Sequence, residues 1–369
     1  MKKQLSSIDL HYLIKELKYL EDSKIDKIYQ PEKEKIIFSF YKTNVGKKLL
    51  NMHIGQSIFI SDAKESTGET LGFGMFLRKH LDGYFLHKIC QLEPERIIKF
   101  EFRIKDTTKF LFIEIFGKGN AILCDEHNVI INALEHHEFR ERVVKPRLKY
   151  VYPVMNYNLF GIDKKQLGEL FKNSKKENVV VSLATELGLG GVYSEEICLM
   201  SRVDKAKKPA DIDNNEIEEI LASLKKVLHR KIDAKVILEN TKVLDFAPFE
   251  IEFYEEYAKK SFDSFSSAIA YFYSYFREEK ATEFDRKLKN LQRIIEEQRA
   301  AIEQLRIEEK EYMEKGELIY HKYGLIKEIL DELNKASNKY SWKEIKEKVK
   351  GHKIIKEFNE KNRKVVIEV

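Results

Sequence analysis

The chain has 369 residues, of which 43% are hydrophobic and 34% are charged, and its formal net charge is +5. This length suits two or three domains of roughly 100–200 residues each. Gly and Pro are sparse, at 16 and 6 residues, which excludes a collagen-like or low-complexity chain. The excess of positive charge is too small to identify a nucleic-acid-binding protein by itself.

The cysteines and the hydropathy pattern exclude several classes of protein. Cys90, Cys124 and Cys198 lie far apart, and an odd number without a CxxC pair disfavours a disulfide framework and a zinc knuckle. No run of about 20 apolar residues is present, so no membrane span is predicted. The first residues lead directly into an amphipathic helix without the hydrophobic region of a secretion signal. We therefore expect a cytoplasmic protein.

Residues 1–155 are predicted to form a mixed α/β domain with two amphipathic helices, one beginning near Ile8 and one covering 71–81. In 97–104 apolar and polar residues alternate, as in a strand with one solvated face. The strand-like runs are 27–29, 36–41, 49–53, 57–60, 97–104, 110–116, 121–124 and 129–133. This order predicts a repeated unit of one helix followed by antiparallel strands, packed as a sandwich in an α+β protein.

Residues 156–262 are predicted to form a small helical domain that ends in a short β-rich piece. The helical patterns are 163–171, 180–187, 193–200 and 214–228, and the β-rich piece runs from 236–238 to 251–253. The pattern changes again at 263, where a much longer helix is predicted to begin.

The glycines of Gly188-Leu189-Gly190 lie between two of these helices, as in a helix–hairpin–helix turn. Glycine adopts positive φ without a steric penalty, and the amides at the start of the next helix can bind a phosphate. An ordinary helical hairpin has the same pattern. Glu195 and Glu196 occupy positions where a hairpin that binds phosphate would favour lysine, so direct phosphate binding is disfavoured here.

Residues 263–369 are predicted to be the outgoing arm of a coiled coil. Alternating steps of four and three residues from Phe284 to Leu333 define 15 positions, and 12 of these residues are apolar or aromatic. Such spacing predicts a heptad seam about 75 Å long. The 22 basic and 20 acidic residues of 278–369 are balanced, so this region does not read as a phosphate-binding arm. The seam must be covered by another chain, which predicts self-association, or by a return helix that this sequence lacks. The tail is predicted to be a short basic helix and a strand at 364–367.

Several stretches resemble the NFACT family, the ribosome-associated quality-control factors that include RqcH and NEMF and are often named fibronectin-binding proteins. The resemblance begins with "LATELGLGGVYSEEICLMSRV" at 183–203. The other stretches are "SSIDLHYLIKEL", "KIDKIYQP", "GFGMFLRKHLDG", "PERIIKFEF", "EKGELIYHKY" and "YSWKEI". Together they follow the order of the family over nearly the whole chain. The return arm and the C-terminal NFACT-R domain of the family are missing.

The resemblance implies a glycosylase-like N-terminal domain, a helix–hairpin–helix domain and part of the middle coiled coil. It also implies a role without hydrolysis: binding to tRNA and to the large ribosomal subunit, with its rRNA and stalled peptidyl-tRNA, and recruitment of tRNA for C-terminal tailing of the nascent chain. The family positions associated with tRNA recruitment correspond to Asp9 and to Glu95-Arg96. The family usually has Asp at the position of Glu95, and the side chain of Glu is one methylene longer.

These residues also have structural interpretations. Asp9 is placed to be a helix N-cap, and Glu95-Arg96 could be a surface salt bridge at the start of a strand. Arg96 offers five donors in a planar fork that suits a base edge or a phosphate. Nearby basic residues are predicted to contact RNA phosphates. They are Arg78, Lys79, Lys118, Arg140, Arg142, Lys145 and Arg147.

Enzymatic chemistry is disfavoured. Bifunctional glycosylases of this architecture attack through an N-terminal proline beside a glutamate, whereas this sequence reads Met1-Lys2-Lys3-Gln4. His136-His137 has no third ligand at metal-binding spacing, and a phosphate-binding loop of the GxxxxGK[ST] type is missing. We expect no cofactor and no metal. Two alternatives remain, a fibronectin-binding adhesion protein and a coiled-coil interaction protein unrelated to RNA.

Overall fold

The computed structural model describes residues 2, 4–61, 70–139, 142–153, 155–240, 242–359 and 362–368, and for 139, 277–283, 285 and 286 the backbone alone. The chain separates into two compact units, Met1–Glu279 and Lys280–Val369. The domain boundaries at 155 and 262 remain predictions. None of the helices in the described ranges combines the length and apolarity needed to cross a membrane.

The first unit is built on a nine-stranded antiparallel sheet with the order β4-β3-β2-β1-β5-β6-β7-β8-β9. Helix α1 (Ser7–Leu17) precedes β1–β4, and helix α2 (Gly72–Leu81) precedes β5–β9. The strands are Lys24–Glu32, Lys35–Lys42, Gly46–His53, Ser57–Ser61, Phe85–Gln91, Ile97–Ile104, Thr107–Glu114, Asn120–Asp125 and Ile130–Ala133. Lys24 of β1 pairs with Phe85 of β5 and joins the two halves. The predicted α+β class is confirmed, as is the repeat of a helix followed by antiparallel strands.

The two halves of the sheet pack face to face around aromatic side chains. Phe38 of β2 and Phe102 of β6 stack with ring centroids 5.8 Å apart, and both are buried. Leu13 and Leu17 of α1 belong to the same cluster. Each fully buried side chain of this size stabilises the fold by about 1.5–3 kcal/mol.

Strand β5 is missing from the sequence prediction because its alternation is broken. A bulge between Leu86 and Lys88 inserts His87, so the side chains that follow change phase along the strand. A short hairpin formed by β10 (His137–Phe139) and β11 (Arg142–Val144) was also not predicted.

The remainder of the first unit is a helical hairpin region and a three-stranded sheet. Its helices are α3 (Lys164–Asn173), α4 (Val179–Thr185), α5 (Gly191–Ser201) and α6 (Asn214–His229). The sheet has the order β13-β12-β14, with β12 at Lys235–Glu239, β13 at Lys242–Ala247 and β14 at Ala258–Ser261. Two 3-10 helices occupy Lys18–Leu20 and Pro209–Asp211.

The predicted strand at 251–253 is wrong. A 3-10 helix forms at Glu252–Tyr254 instead, because the amide of Phe253 donates to the buried carboxylate of Glu196 at 3.0 Å rather than to a neighbouring strand. The third strand of this sheet is the polar segment β14, which lacks the apolar pattern that predicts a strand.

Helix α7 spans Phe265–His321. The carboxylate of Glu16 accepts hydrogen bonds from the amides of Phe265 at 2.6 Å and Ser266 at 2.9 Å, so it satisfies two donors that the helix itself leaves free. The prediction of one helix to about residue 333 is wrong, because the chain leaves helical geometry at Lys322, with φ −101° and ψ 15°. Gly324, a poor helix former, follows closely.

The second unit ends in a small module of its own. Its elements are α8 (Tyr323–Ser337), α9 (Trp342–Val349), β15 (Ile355–Asn359) and β16 (Lys364–Ile367). Ile329, Ile345 and Ile355 are buried together, and Trp342 stacks on Phe358 with centroids 5.8 Å apart. The predicted basic helix and final strand are present, whereas β15 was not predicted.

Candidate functional site

A cleft of about 370 Å³ lies where the start of α1, the start of β6 and the N-terminus of α5 meet. We call it the Arg96 cleft. It is lined by Lys2, Gln4, Ser6, Arg96, Leu189, Gly190, Gly191, Val192 and Tyr193. Two cationic side chains and the positive end of a helix therefore border one opening, an arrangement that suits an anion.

Arg96 is held in place by both its backbone and its side chain. Its carbonyl accepts from the amide of Ile115 at 2.7 Å, and its Nη1 donates to Oε1 of Gln4 at 3.2 Å. The amide nitrogen of Gln4 in turn donates to the carbonyl of Gly117 at 2.7 Å. Partial burial lowers the pKa of Arg96, yet the guanidinium remains charged at neutral pH. The bond to Gln4 is the one that the Arg96 side chain donates to the described residues, which leaves four of its five donors for a ligand.

Glu95 is a structural anchor in this geometry. Its side chain is 8% exposed, and Oε1 accepts from the amide of Met155 at 2.7 Å. Met155 then packs on the hairpin turn, since a Cβ added to Gly188, which has φ +80°, would lie 2.7 Å from the Met155 methyl group. Burial raises the pKa of Glu95. The carboxylate thus binds a neighbouring loop, and the predicted salt bridge with Arg96 is not formed.

Asp9 is fully buried, which corrects two expectations. Its Oδ1 accepts from Nζ of Lys2 at 3.0 Å and from the hydroxyl of Tyr193 at 2.6 Å, while Oδ2 accepts from the amide and hydroxyl of Ser6, both at 2.8 Å. At 0% exposure it cannot touch RNA in this conformation. Nor is it the N-cap, because Ser6 caps α1 and Asp9 is the third helical residue of a capping box. Asp9 joins α1 to the hairpin and so shapes the Arg96 cleft.

The buried contacts of Lys2 were not predicted from the sequence. Its side chain is largely buried, and Nζ lies 4.5 Å from the ring centroid of Tyr193 and 5.1 Å from that of Phe246. It also donates to the carbonyl of Phe246 at 3.0 Å. These partners are 191 and 244 residues away in sequence, so no local pattern could have indicated the contact.

The hairpin presents a helix end without a side-chain cap. Gly190 is the N-cap of α5 and has φ +77°, a conformation that glycine adopts at no steric cost. The acidic residues that argued against phosphate binding are engaged elsewhere. Glu195 pairs with Lys205 at 3.0 Å, and buried Glu196 pairs with Arg230 at 3.1 Å.

Two of the other predicted cations have structural roles. Arg78 donates to the carbonyl of Ile28 and to the hydroxyl of Thr70. Arg142 forms an ion pair with Glu114 and donates to the carbonyl of Val151 at 2.7 Å. Neither residue lines the Arg96 cleft.

The remaining predicted cations have different positions. Lys79 is exposed on α2, away from the lining of the cleft. Lys118 is exposed on the turn whose Gly117 carbonyl binds Gln4, so this turn adjoins the cleft. Lys145 pairs with Glu138, Arg147 is exposed, and Arg140 lies outside the described residues. The structure therefore brings together Asp9, Glu95, Arg96, Gly188 and Gly190, and not the whole basic set.

The chemistry of the cleft is that of binding. Cationic side chains and the amides of a helix N-terminus are groups that recognise an anion. Within the described ranges, no cluster of three or more His, Cys, Asp or Glu side chains is arranged to hold a metal ion. His136, one of the adjacent histidines, contacts Asn132.

These features define an α+β protein in which a cleft bordered by Lys2, Arg96 and a helix N-terminus lies between a large antiparallel sheet and a helical hairpin. The chain belongs to the NFACT family, since the family model described as NFACT N-terminal and middle domains matches residues 6–367. The family resemblance noted in the sequence is confirmed.

Three known proteins illustrate the relationship. The archaeal Rqc2 homolog aRqcH of Methanocaldococcus jannaschii is 26% identical over 100% of this chain and 58% of its own length. The human ribosome quality control complex subunit NEMF is 24% identical over 94% of this chain and 35% of its own. The crystal structure of the fibrinogen binding protein from Staphylococcus aureus covers 73% of this chain and 98% of its own, with a TM-score of 0.61 and 18% identity. This chain thus spans little more than half of the archaeal relative.

Proposed function

We propose that this protein acts in ribosome-associated quality control in the cytoplasm, where it binds tRNA and the large ribosomal subunit and recruits tRNA for C-terminal tailing without breaking a bond. The relatives named for ribosome quality control support the general role. The proposal that the protein binds tRNA is supported by one observation: Arg96 and the N-terminus of α5, which has no side-chain cap, line the same cleft.

Folded RNA suits this cleft better than a small anion does. Looped RNA presents phosphates together with unstacked bases, and the cleft offers both kinds of partner. The helix amides and the guanidinium of Arg96 can bind phosphate oxygens. The same guanidinium can instead read a base edge through its planar fork.

The second unit supplies an additional surface for rRNA. Residues 335–364 hold 11 Lys or Arg residues against 4 Glu residues. Two of these cations lie over aromatic rings, Lys348 at 3.3 Å from the centroid of Tyr340 and Arg363 at 5.7 Å from that of Trp342. Positive charge with interleaved aromatic side chains favours binding to RNA phosphates and bases. We propose that this module contributes to association with the large subunit.

The tRNA part of the proposal is tested by replacing Arg96. We expect Arg96→Ala to reduce the tRNA recovered after crosslinking in the native cytosol by about tenfold or more, because a charge-assisted bidentate contact is worth about 1–3 kcal/mol. Arg96→Lys should keep only part of the binding, since it retains the charge and loses the fork. The measurement is sequencing of the crosslinked RNA.

The matched control is Lys79→Ala, which removes an exposed cation that does not line the cleft. It should leave tRNA recovery unchanged. Glu95→Ala is a poor test, because loss of its bond to the Met155 amide would disturb the hairpin as well. Unchanged tRNA recovery with Arg96→Ala, at an unchanged melting temperature, would refute the role of the cleft. Crosslinks that lack large-subunit rRNA would refute the ribosomal part.

We also propose that the heptad seam mediates self-association. The seam residues of α7 are exposed, from 43% for Leu288 to 70% for Tyr312. A row of apolar side chains of this length gains free energy when a second helix covers it.

Leu305→Lys should therefore lower the average molar mass measured by light scattering at high protein concentration. Met313→Lys is the control, because Met313 is equally exposed, at 62% against 63% for Leu305, yet lies off the seam. A chain that stays strictly monomeric before any substitution would contradict the proposal.

A further inference from the structure

Five exposed residues form one row across the outer face of the large sheet. The register pairs Lys47 with Tyr41, Tyr41 with Lys24, Lys24 with Phe85, and Phe85 with Arg103. Directly paired residues of neighbouring strands project to the same face. Strands are about 4.8 Å apart, so the row extends for about 19 Å. We call these five residues the outer row.

The outer row alternates cations with aromatic rings, which is unusual for a solvated sheet surface. Tyr41 is 53% exposed and Phe85 is 45% exposed. Large aromatic rings that stay exposed between solvated cations indicate a surface that another molecule covers. The rings are two strands apart, or about 10 Å, and Lys24 lies between them.

Positive charge dominates this face even after local ion pairs are counted. Lys47 pairs with Asp26 at 2.8 Å, and Arg103 pairs with Glu101. Lys24 forms no ion pair with any described residue. In the neighbouring row of the same face, the strand register places Lys27 opposite Ser39 and Lys88 opposite Glu101. An anionic partner is therefore favoured.

The same face carries a second example of cation–aromatic pairing. On β6, Lys99 lies with Nζ 3.6 Å from the ring centroid of Phe110, its neighbour on β7. Both are only partly exposed. The exposed rings of the outer row are free to make the corresponding contact with a ligand.

We propose that the outer row binds a single-stranded RNA segment, with its bases stacked on Tyr41 and Phe85 and its phosphates near Lys24 and Lys47. Unpaired bases offer the planar faces that exposed aromatic rings bind, whereas a duplex hides them and an acidic peptide has none. The site is separate from the Arg96 cleft, because Arg96 directly precedes β6 and Arg103 lies near the other end of this strand, about 23 Å away. It does not depend on the proposed role of the cleft.

The test is fluorescence anisotropy of the full chain with a labelled RNA of about 12 unpaired nucleotides, at about 50 mM salt. We expect Tyr41→Ala and Phe85→Ala each to weaken binding by roughly tenfold, the effect of losing one stacked base. Tyr41→Phe and Phe85→Tyr keep a ring and should retain the affinity of the unmodified protein. Lys24→Glu should weaken binding and reduce its dependence on salt.

Two controls make each outcome decisive. Tyr320→Ala removes the ring of an 82% exposed tyrosine on α7 and should have no effect, and Lys79→Ala, which removes an exposed cation outside the outer row, should retain binding to this RNA. The proposal is wrong if the unmodified protein does not bind the RNA. It is also wrong if binding survives both alanine substitutions, or if polyglutamate or duplex RNA competes as well as the unpaired strand.

Discussion

Replacing Asp9 with alanine should lower the free energy of unfolding by about 3–5 kcal/mol, because its fully buried carboxylate is one half of an ion pair with Lys2. The substitution leaves the ammonium of Lys2 largely buried without its carboxylate and leaves the hydroxyl of Tyr193 without its acceptor. Removing one partner of a buried ion pair costs this much because the remaining charge is neither solvated nor compensated. Urea denaturation followed by circular dichroism measures the change.

A second pair of variants separates the charge from the packing. Asp9→Leu combined with Lys2→Met replaces the ion pair with apolar side chains and should recover much of the stability lost in Asp9→Ala. Asp9→Asn keeps an oxygen for Tyr193 while removing the charge, so an intermediate loss is expected. Equal stability of Asp9→Ala and the unmodified protein would show that the buried network does not support the fold.

The Asp9 variants also bear on function. Because Asp9 connects α1 to Tyr193 of α5, its loss should let the two walls of the Arg96 cleft separate. Asp9→Ala, assayed below its melting temperature, should then be folded and weak in tRNA crosslinking, although it keeps both Lys2 and Arg96 in the lining of the cleft. This result would assign Asp9 a positioning role, since an alanine at this place removes no group that a ligand could reach.

The strands were predictable from the sequence where one face is apolar and the other is exposed to solvent, because apolar and polar residues then alternate. The strand at Ile97–Ile104 was predicted to the residue, because its alternation has no interruption. Phe85–Gln91 was missed because its bulge breaks the alternation. The end of α7 at His321 was missed for a different reason, since the heptad pattern continues across Lys322 while the backbone does not.

The candidate site was predictable in its residues and not in its geometry. The glycines at 188 and 190 have a local signature, because both require positive φ. The pair Glu95-Arg96 entered through the family resemblance. That Glu95 anchors Met155 while Arg96 opens to the cleft depends on contacts between residues distant in sequence. The burial of a side chain distinguishes a structural residue from a binding residue, and burial at this site cannot be read from the local sequence pattern.

A marked effect of mild acidification on stability should arise from His11. Burial, and then the positive charge of Lys15, lowers the pKa of His11 from 6.5 to about 4. Its ring stacks on Phe160 with centroids 4.9 Å apart. Glu93 lies 3.9 Å from Nδ1 and favours the charged form, whereas His229 acts in the same direction as Lys15.

Acidification should therefore destabilise the protein. Below pH 6.5 the unfolded chain takes up a proton at this position while the folded protein does not, so the free energy of unfolding falls with pH until about pH 4, where the folded form also becomes protonated. A pKa shift of this size corresponds to roughly 3 kcal/mol.

His11→Phe keeps the stacking and removes the titration, so its unfolding free energy should fall less between pH 7 and pH 4.5 than that of the unmodified protein. The other histidines titrate in both proteins, which leaves the difference between the two curves to His11. Parallel curves would mean that the ring takes up its proton while still folded. Such a result would require Glu93 to move closer to Nδ1, and in that case Glu93→Gln would restore the dependence on pH.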